Sequence, residues 1–278
     1  MYPALNPTIV TGRADWPDIA KLASKAGFPA VDLNAARAQA AGLAATREAL
    51  AALKIQPAVV SFPVEFRRDE ATFESTLAQL EPAAQFGAAL GCPRMATYIV
   101  PSAELPYREQ RALFLKRLRR VADILARSHV RLGLEFVSPV HLRKRLPYPF
   151  IYDLTAMLDF AQDCGPNVGL LLDSWHWHHA GNTVKDILNT PGDRLVHIHI
   201  NDAAAQAPED VRDNERLMPG EGKIDLVGFL QAIQKTGYRD AVSVEVFGRG
   251  LKDMPVEAAV QLAFDTTAAV MRKAQVWN

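Results

Sequence analysis

The run RLGLEFV at residues 131–137 is mostly apolar and carries one carboxylate near its carboxyl end. Three later runs also begin as short apolar segments that lead to a polar group, and they are VGLLLDSWHWHH at 168–179, LVHIHINDA at 195–203 and AVSVEVFG at 241–248. Short apolar segments rich in valine, leucine and isoleucine are typical of strands that are buried on both faces of a parallel sheet. The second half of the chain therefore predicts four buried strands with polar side chains at their ends.

The polar side chains at these strand ends are all groups that bind divalent cations. They are Glu135, Asp173, His199 and Glu245. An unpaired carboxylate at the edge of a core costs free energy unless something compensates its charge. Because one cation compensates several such groups at once, the pattern predicts a shared metal site.

The whole chain alternates between short β-rich runs and longer runs with apolar residues at helical spacing. The first four predicted strands are at residues 5–10, 30–34, 56–62 and 94–100. The predicted helices are at residues 16–27, 41–54, 70–90, 107–128, 152–164, 183–189, 225–236 and 256–274. Pro82 is expected to kink or split the third of them. Eight strand–helix units without a linker predict an α/β fold in which residues 1–278 form one (β/α)₈ TIM barrel.

A barrel also explains why the polar strand ends belong together, since barrel active sites lie at the carboxyl ends of the strands. The alternative is an open doubly wound sheet. It is disfavoured because TIVTGRADW, after the first predicted strand, has one glycine and no dinucleotide-binding fingerprint. Residues two apart on a strand share a face, so Gly133 lies beneath Glu135, Ser243 beneath Glu245 and His197 beneath His199. The small Gly133 and Ser243 predict free space below the site. His197 is expected to be a hydrogen-bonded interior residue, or one that supports the ligands from behind, rather than a ligand.

The composition bounds the class of partner. Lys plus Arg and Asp plus Glu each total 31, which argues against a surface for nucleic acid or a basic membrane-facing surface. The two cysteines, Cys92 and Cys164, are too few for a disulfide framework. The first residues lack a signal-peptide pattern, and no apolar run approaches the roughly 18 residues of a membrane span. We therefore expect a soluble cytoplasmic protein that acts on a small molecule.

The motifs LEF, LLLDSWH, HIHIND, PGEGKIDL and VSVEVF occur in an order that resembles the xylose isomerase-like TIM barrels. This family includes sugar and inositol isomerases, ketose 3-epimerases, related dehydratases and endonuclease IV. The resemblance covers the barrel and is specific from about residue 131 onward. It implies that Glu135, Asp173, His199 and Glu245 hold one divalent metal ion, and that His176 contacts the substrate near it. It also allows a homo-oligomer.

The chemistry of ketose isomerisation explains why these residue types are needed. Loss of a proton from the carbon next to a carbonyl gives an enediolate, whose charge a divalent ion stabilises as a Lewis acid. Glu135 and Glu245 are the candidates that also move the proton, while Asp173 and His199 are plain ligands. Three carboxylates and one imidazole favour Mn²⁺ or Mg²⁺ and are compatible with Co²⁺ or Zn²⁺. The predicted function is a divalent-metal-dependent isomerase or epimerase of a sugar, a ketose or an inositol-derived ketone.

The segment at residues 201–225 is a long connection after the seventh predicted strand, and connections of this length are usually functional or disordered. Arg216 resembles a family position that reaches the substrate or orders this loop, and Arg212 is the competing candidate. Asp202 is expected to hold the loop through bonds to its backbone. Arg249 follows the eighth strand, where barrels often bind phosphate, and leaves a phosphorylated substrate open.

Two other functions use the same scaffold. The nearer one is a metal-dependent dehydratase of inosose or 3-dehydroshikimate, because the same enediolate can expel a β-hydroxyl. Dehydroshikimate enzymes carry a histidine two residues after the first ligand, where this chain has Val137. Endonuclease IV needs a three-zinc cluster with further histidines, but the corresponding segments here are VSFPV, TYIVP and VRDNER. The missing histidines and the neutral charge balance disfavour DNA repair, so no nucleic-acid partner is expected.

Overall fold

Eight parallel strands close into one barrel in the computed structural model, which describes residues 1–278. The strands are β1 (Tyr2–Leu5), β2 (Ala30–Leu33), β3 (Gln56–Ser61), β4 (Arg94–Ile99), β5 (Arg131–Phe136), β6 (Val168–Asp173), β7 (Leu195–Ile200) and β8 (Ala241–Val244). Neighbours in the chain are neighbours in the barrel, and β8 closes it by pairing with β1. The predicted (β/α)₈ TIM barrel is confirmed.

Helices connect the strands and surround the barrel. They are α1 (Asp18–Ala26), α2 (Ala35–Ala41), α3 (Leu43–Leu53), α4 (Glu70–Leu77), α5 (Leu80–Ala89), α6 (Tyr107–Ala126), α7 (Val140–Arg143), α8 (Leu154–Cys164), α9 (Ser174–His179), α10 (Val184–Leu188), α11 (Leu226–Lys235) and α12 (Val256–Lys273). None of them combines the length and the hydropathy of a membrane-crossing segment.

One hydrophobic cluster of 71 buried residues joins the strands to the inner faces of the helices. On α6, for example, Leu118, Val121, Ala122 and Leu125 recur at helical spacing and are all buried. Because these contacts hold the outer face of the barrel, the carboxyl ends of the strands are free to carry polar side chains.

The first strand lies earlier than the sequence predicts. A strand at residues 5–10 is wrong, because β1 ends at Leu5 and Pro7–Val10 form a 3₁₀-helix. The Asn6 side chain begins this turn by accepting a hydrogen bond from the backbone N–H of Thr8 at 3.0 Å. Pro7 has no N–H to give to a strand ladder, so the extended chain ends there. The turn carries Asn6 and Thr8 to the functional rim of the barrel.

One of the predicted helices is divided in the structure, and the additional helix α2 precedes another. The segment at 70–90 is split into α4 and α5 as predicted, with Pro82 in the first turn of α5. A proline fits there because the first N–H groups of a helix have no partner within it. Between α2, which was not predicted, and α3, Gly42 adopts φ +89°, a left-handed value that favours glycine.

The long loop at residues 201–225 is ordered around one carboxylate. Asp202 is 1% exposed and accepts hydrogen bonds from four backbone N–H groups at 2.8–3.0 Å, those of Ala203, Gly220, Gly222 and Ile224. Asp202 also pairs with Leu217 through backbone bonds in both directions. The predicted role of Asp202 is confirmed, and its bonds fix the loop segment that carries Arg216.

Candidate metal centre

Four side chains from consecutive strands converge at the carboxyl rim of the barrel. Glu135 lies on β5, Asp173 ends β6, His199 lies on β7, and Glu245 directly follows β8. Each offers one ligand atom, and these four atoms all lie within 4.8 Å of one another. The sequence-predicted ligand set is therefore brought together by the fold, as expected for the ends of neighbouring parallel strands.

The imidazole of His199 lies at the middle of this group. Its Nδ1 is 3.2 Å from Glu245 Oε2, 3.7 Å from Glu135 Oε1 and 3.8 Å from Asp173 Oδ2. Asp173 is fully buried, and the other three side chains are at most 12% exposed. Three carboxylates packed around one imidazole inside a protein repel one another unless positive charge is placed among them.

Two atoms of the cluster fit the hypothesis of a metal ligand set. Glu135 Oε1 and His199 Nδ1 are buried and have no hydrogen-bond partner. Buried polar atoms in folded proteins are nearly always partnered, so an orphaned pair that faces one point suggests an ion or a ligand there. Three oxygen donors and one nitrogen donor suit a divalent cation, and the absence of thiolate argues against a closed structural zinc site.

The surroundings of the two glutamates shift their pKa values in opposite directions. Burial raises the pKa of Glu135 above its usual value. Burial acts in the same direction on Glu245, but the charges of His199 and Arg216 outweigh it and lower the pKa of that carboxyl to about 2. For His199, burial lowers the pKa, yet the negative charges of Glu245 and Glu135 raise it well above its usual value. In the protein without metal, the carboxylates around this imidazole thus favour its positively charged form.

Arg216 supplies the second positive charge of the cluster. Its guanidinium is 2% exposed, and Nη1 donates to both Asp173 Oδ2 and Glu245 Oε2 at 2.9 Å. Nε and Nη2 donate to Asp213 Oδ1 at 3.0 and 2.8 Å. Arg212, the competing candidate, instead donates to the backbone oxygens of its own loop. Arg216 is therefore the loop arginine that enters the site.

Asp173 also begins the short helix that follows it in the motif LLLDSWH. Its Oδ1 accepts hydrogen bonds from the backbone N–H groups of Trp175 at 2.7 Å and of His176 at 3.1 Å, which makes it the N-cap of α9. The short helix turns His176 towards the arginine, with Nε2 lying 3.2 Å from Arg216 Nη2. His176 is 2% exposed, and its contact with a substrate stays a prediction.

A cavity of about 310 Å³ opens beside the four ligand candidates. Each of β1–β4, together with the residues that follow it, supplies three lining residues, and each of β5–β8 supplies one. The polar members from the first half of the barrel are Asn6, Thr8, Asp32, Asn34, Ser61, Thr97 and Tyr98. The residues that sequence reasoning missed lie here. The available signal was Asp32, a carboxylate in the middle of the apolar run AVDLN.

The space beneath the ligands is filled rather than free, so that prediction is wrong. A Cβ on Gly133 would lie 3.1–3.3 Å from atoms of Leu171 and Val196. Ser243 is fully buried, and its hydroxyl donates to Asp32 Oδ1 at 2.7 Å. His197 is an interior residue as predicted, but the expectation that it is hydrogen-bonded is wrong, because both ring nitrogens lack a hydrogen-bond partner. The layer below the ligands is thus a tightly packed support.

Arg249 does not stand free for a phosphate group. Its guanidinium forms a two-point ion pair with the carboxylate of Glu221. The Glu221 oxygens therefore occupy the hydrogen-bond donors that a phosphate group would use.

Sequence comparison places the chain among enzymes of known reaction. It is 27% identical over 222 residues to an inosose isomerase of Bacillus velezensis, covering 79% of this chain and 77% of that protein. It is 31% identical over 149 residues to a 3-dehydroshikimate dehydratase of Pseudomonas aeruginosa, covering 53% of this chain and 22% of that longer protein. Enzymes that isomerise and enzymes that eliminate water are thus both found among its relatives.

Structural comparison covers nearly the whole chain. A xylose isomerase domain protein of Alicyclobacillus acidocaldarius superposes with a TM-score of 0.91 at 32% identity, covering 99% of each chain. The zinc-containing crystal structure of an IolI protein superposes with a TM-score of 0.85 at 23% identity, also over 99% of each chain. The sequence profile of the xylose isomerase-like TIM barrel matches residues 20–273. The chain therefore belongs to the xylose isomerase-like TIM barrel family.

Proposed function

We propose that this protein is a metal-dependent isomerase or epimerase of a sugar or an inositol-derived ketone. One observation carries the proposal, namely the convergence of Glu135, Asp173, His199 and Glu245 at the carboxyl rim beside an open cavity. The isomerases among its relatives support the reaction class.

The four converging side chains would hold one divalent ion. Their oxygen-rich donor set favours Mn²⁺ or Mg²⁺ and is compatible with Zn²⁺ or Co²⁺. When bound, such an ion supplies Lewis-acid stabilisation of the negative charge that develops on substrate oxygens. Asp173 is held by Asn201 and Arg216 and caps α9, so we assign it to binding the ion rather than to proton transfer.

Glu135 and Glu245 are the candidates for proton transfer. They reach the site from β5 and from the end of β8, with β6 and β7 between them, and therefore approach a substrate from different sides. One carboxylate can take a proton from the carbon next to the carbonyl, and the other can return a proton to that carbon or its neighbour. Arg216 fixes the orientation of Glu245, and we retain Arg216 and His176 as candidate substrate contacts.

The cavity suits a substrate with several hydroxyl groups. Its ionisable side chains near the ligands are Asp32, Glu135, His199 and Glu245, and a bound divalent ion and Arg216 would offset the charges of the carboxylates. Around them the wall offers the amide and hydroxyl groups described above, which suit the hydroxyls of a sugar or a cyclitol.

Loss of water is the second candidate reaction, because a dehydratase is found among the relatives. Val137, where dehydroshikimate enzymes carry a histidine, leaves inosose as the better dehydratase substrate. The products separate the two reactions, since an isomerase conserves the mass of its substrate and a dehydratase removes one water.

The decisive experiment is proton exchange with solvent. The purified protein is loaded with Mn²⁺, Mg²⁺, Zn²⁺ or Co²⁺ and incubated in D₂O with ketoses, inososes, hydroxypyruvate or 3-dehydroshikimate. We expect deuterium at the carbon next to the carbonyl of a ketose or an inosose, without loss of water. Elemental analysis should find about one divalent ion per chain.

Matched variants connect the exchange to the site. Glu245→Gln and Glu135→Gln keep the shape of the side chains and remove the proton acceptor, so each should lower exchange at least about 100-fold. Glu209→Gln makes the same chemical change at an exposed residue and should leave exchange unchanged. If the protein binds no divalent ion, or if Glu245→Gln exchanges as fast as the wild type, the proposal is wrong.

A further inference from the structure

Asp32 lies in the barrel interior one layer from the candidate ligands and has two fixed hydrogen-bond donors. Asn6 Nδ2 donates to its Oδ2 at 2.8 Å, and Ser243 Oγ donates to its Oδ1 at 2.7 Å. The residue is 8% exposed and lines the cavity beside the candidate ligands. Its two donors come from β8 and from the turn after β1, so the carboxylate is held from both sides.

The open side of this carboxylate faces two imidazoles. His197 Nε2 is 3.6 Å from Asp32 Oδ1, and His199 Nε2 is 4.0 Å from Asp32 Oδ2. The other nitrogen of His199 is the Nδ1 that faces Glu135, Asp173 and Glu245. His199 therefore separates two groups of carboxylates, one on each side of its ring.

Asp32, His197 and His199 could themselves surround a second cation, since their ligand atoms lie within 4.8 Å of one another. That arrangement is chemically costly. A neutral imidazole has one lone pair for a metal and carries a proton on its other nitrogen. Two ions held at once through His199 would require an imidazolate. A proton on Nε2 that points at the Asp32 carboxylate needs no such ionisation.

We propose that Asp32 is a positioning residue that keeps the proton of His199 on Nε2 and so leaves Nδ1 free to bind the metal ion. The inference rests on the proposed metal centre. An anion beside Nε2 favours the tautomer with the proton there, and carboxylates commonly orient metal-binding histidines in this way. Asn6 and Ser243 act through Asp32, because they fix where its charge is placed.

The test is the affinity of the full chain for Zn²⁺, measured by competition with a chromophoric chelator. Asp32→Asn keeps the size of the side chain and removes its charge, and we expect it to bind Zn²⁺ roughly 10- to 100-fold more weakly. Ser243→Ala keeps the carboxylate but removes one donor, so it should show a smaller loss. Asp18→Asn removes an exposed carboxylate and should bind as the wild type does.

A second measurement observes the histidine directly. In Zn²⁺-loaded protein with ¹⁵N-labelled histidine, the His199 signals, assigned with His199→Gln, should show metal on Nδ1 and a proton on Nε2. Asp32→Asn should show a mixture of the two arrangements or weaker occupancy.

Three outcomes would overturn the inference in distinguishable ways. If Asp32→Asn and Ser243→Ala both bind Zn²⁺ with affinities within threefold of the wild type, the positioning role is refuted while the metal centre is not. A wild type that binds two Zn²⁺ ions, of which His197→Gln loses one, would show a second cation site instead. A wild type that binds no Zn²⁺ or other divalent ion would refute the metal centre on which the inference rests.

Discussion

Replacing Arg216 by methionine tests the electrostatic balance of the site. The substitution keeps much of the apolar length of the side chain and removes a guanidinium that donates to Asp173, Glu245 and Asp213. Breaking a buried ion pair on one side costs about 3–5 kcal/mol, because the remaining charge stays buried without its partner. At roughly 2–4 °C per kcal/mol for a large domain, the apparent melting temperature should fall by about 6–20 °C.

The assay is thermal unfolding followed by circular dichroism in the presence of a chelator. Arg249→Met is the matched control, because it breaks an arginine–carboxylate pair with Glu221 whose side chains are 32% and 27% exposed. Such a partly exposed pair contributes less than about 1 kcal/mol, so the control should melt within roughly 4 °C of the wild type. Saturating Zn²⁺ should narrow the deficit of Arg216→Met, since the ion replaces the missing positive charge. If Arg216→Met and Arg249→Met melt together in chelator, the reasoning is refuted.

Three further predictions concern the scaffold. Asp202→Ala leaves four backbone N–H groups without their acceptor and should lower the free energy of unfolding by roughly 3 kcal/mol in urea titrations; a change below about 1 kcal/mol would contradict it. Gly169→Ala places a Cβ 2.2 Å from the backbone oxygen of Arg194, so we expect a loss of roughly 1–3 kcal/mol or more by the same measurement, and wild-type stability would show that the backbone yields freely. Burial lowers the pKa of His179 to about 3, so below pH 6.5 the unfolded chain binds a proton that the native chain does not. Stability should therefore fall by roughly 1 kcal/mol between pH 7 and pH 5 after allowance for solvent screening, and His179→Gln should lose this part of the pH dependence, whereas an unchanged dependence would exclude His179 as its source.

The ligand cluster could be predicted from sequence because the barrel topology determines which strand ends meet. Once four apolar runs are assigned to consecutive parallel strands, the side chains at their carboxyl ends meet at one rim whatever the details of the loops. The four candidate ligands needed no knowledge of register, since each lies within two residues of the end of its strand.

The remaining parts depend on contacts that spacing does not contain. Arg212 and Arg216 are the same residue type on one loop, and the choice between them follows from how Asp202 anchors that loop. Asp32 gains its partners Asn6 and Ser243 from strands far apart in the chain, through the closure of the barrel. The prediction placed β1 too late in the chain. The hydrogen bond from the Thr8 N–H to the Asn6 side chain begins a 3₁₀-helix there, so the strand ends before the apolar residues that follow.

The division of the cavity wall has an evolutionary consequence. The candidate ligands all lie on β5–β8, whereas most of the wall that meets the rest of a substrate comes from β1–β4 and the residues after them. Mutations in the first half of the gene, outside Asn6 and Asp32, can thus alter selectivity while the candidate ligands in the second half are inherited intact. A chimera that joins the first four strand–helix units of a relative, with Asn6 and Asp32 retained, to residues 131–278 of this chain would transfer preference without rebuilding the reaction.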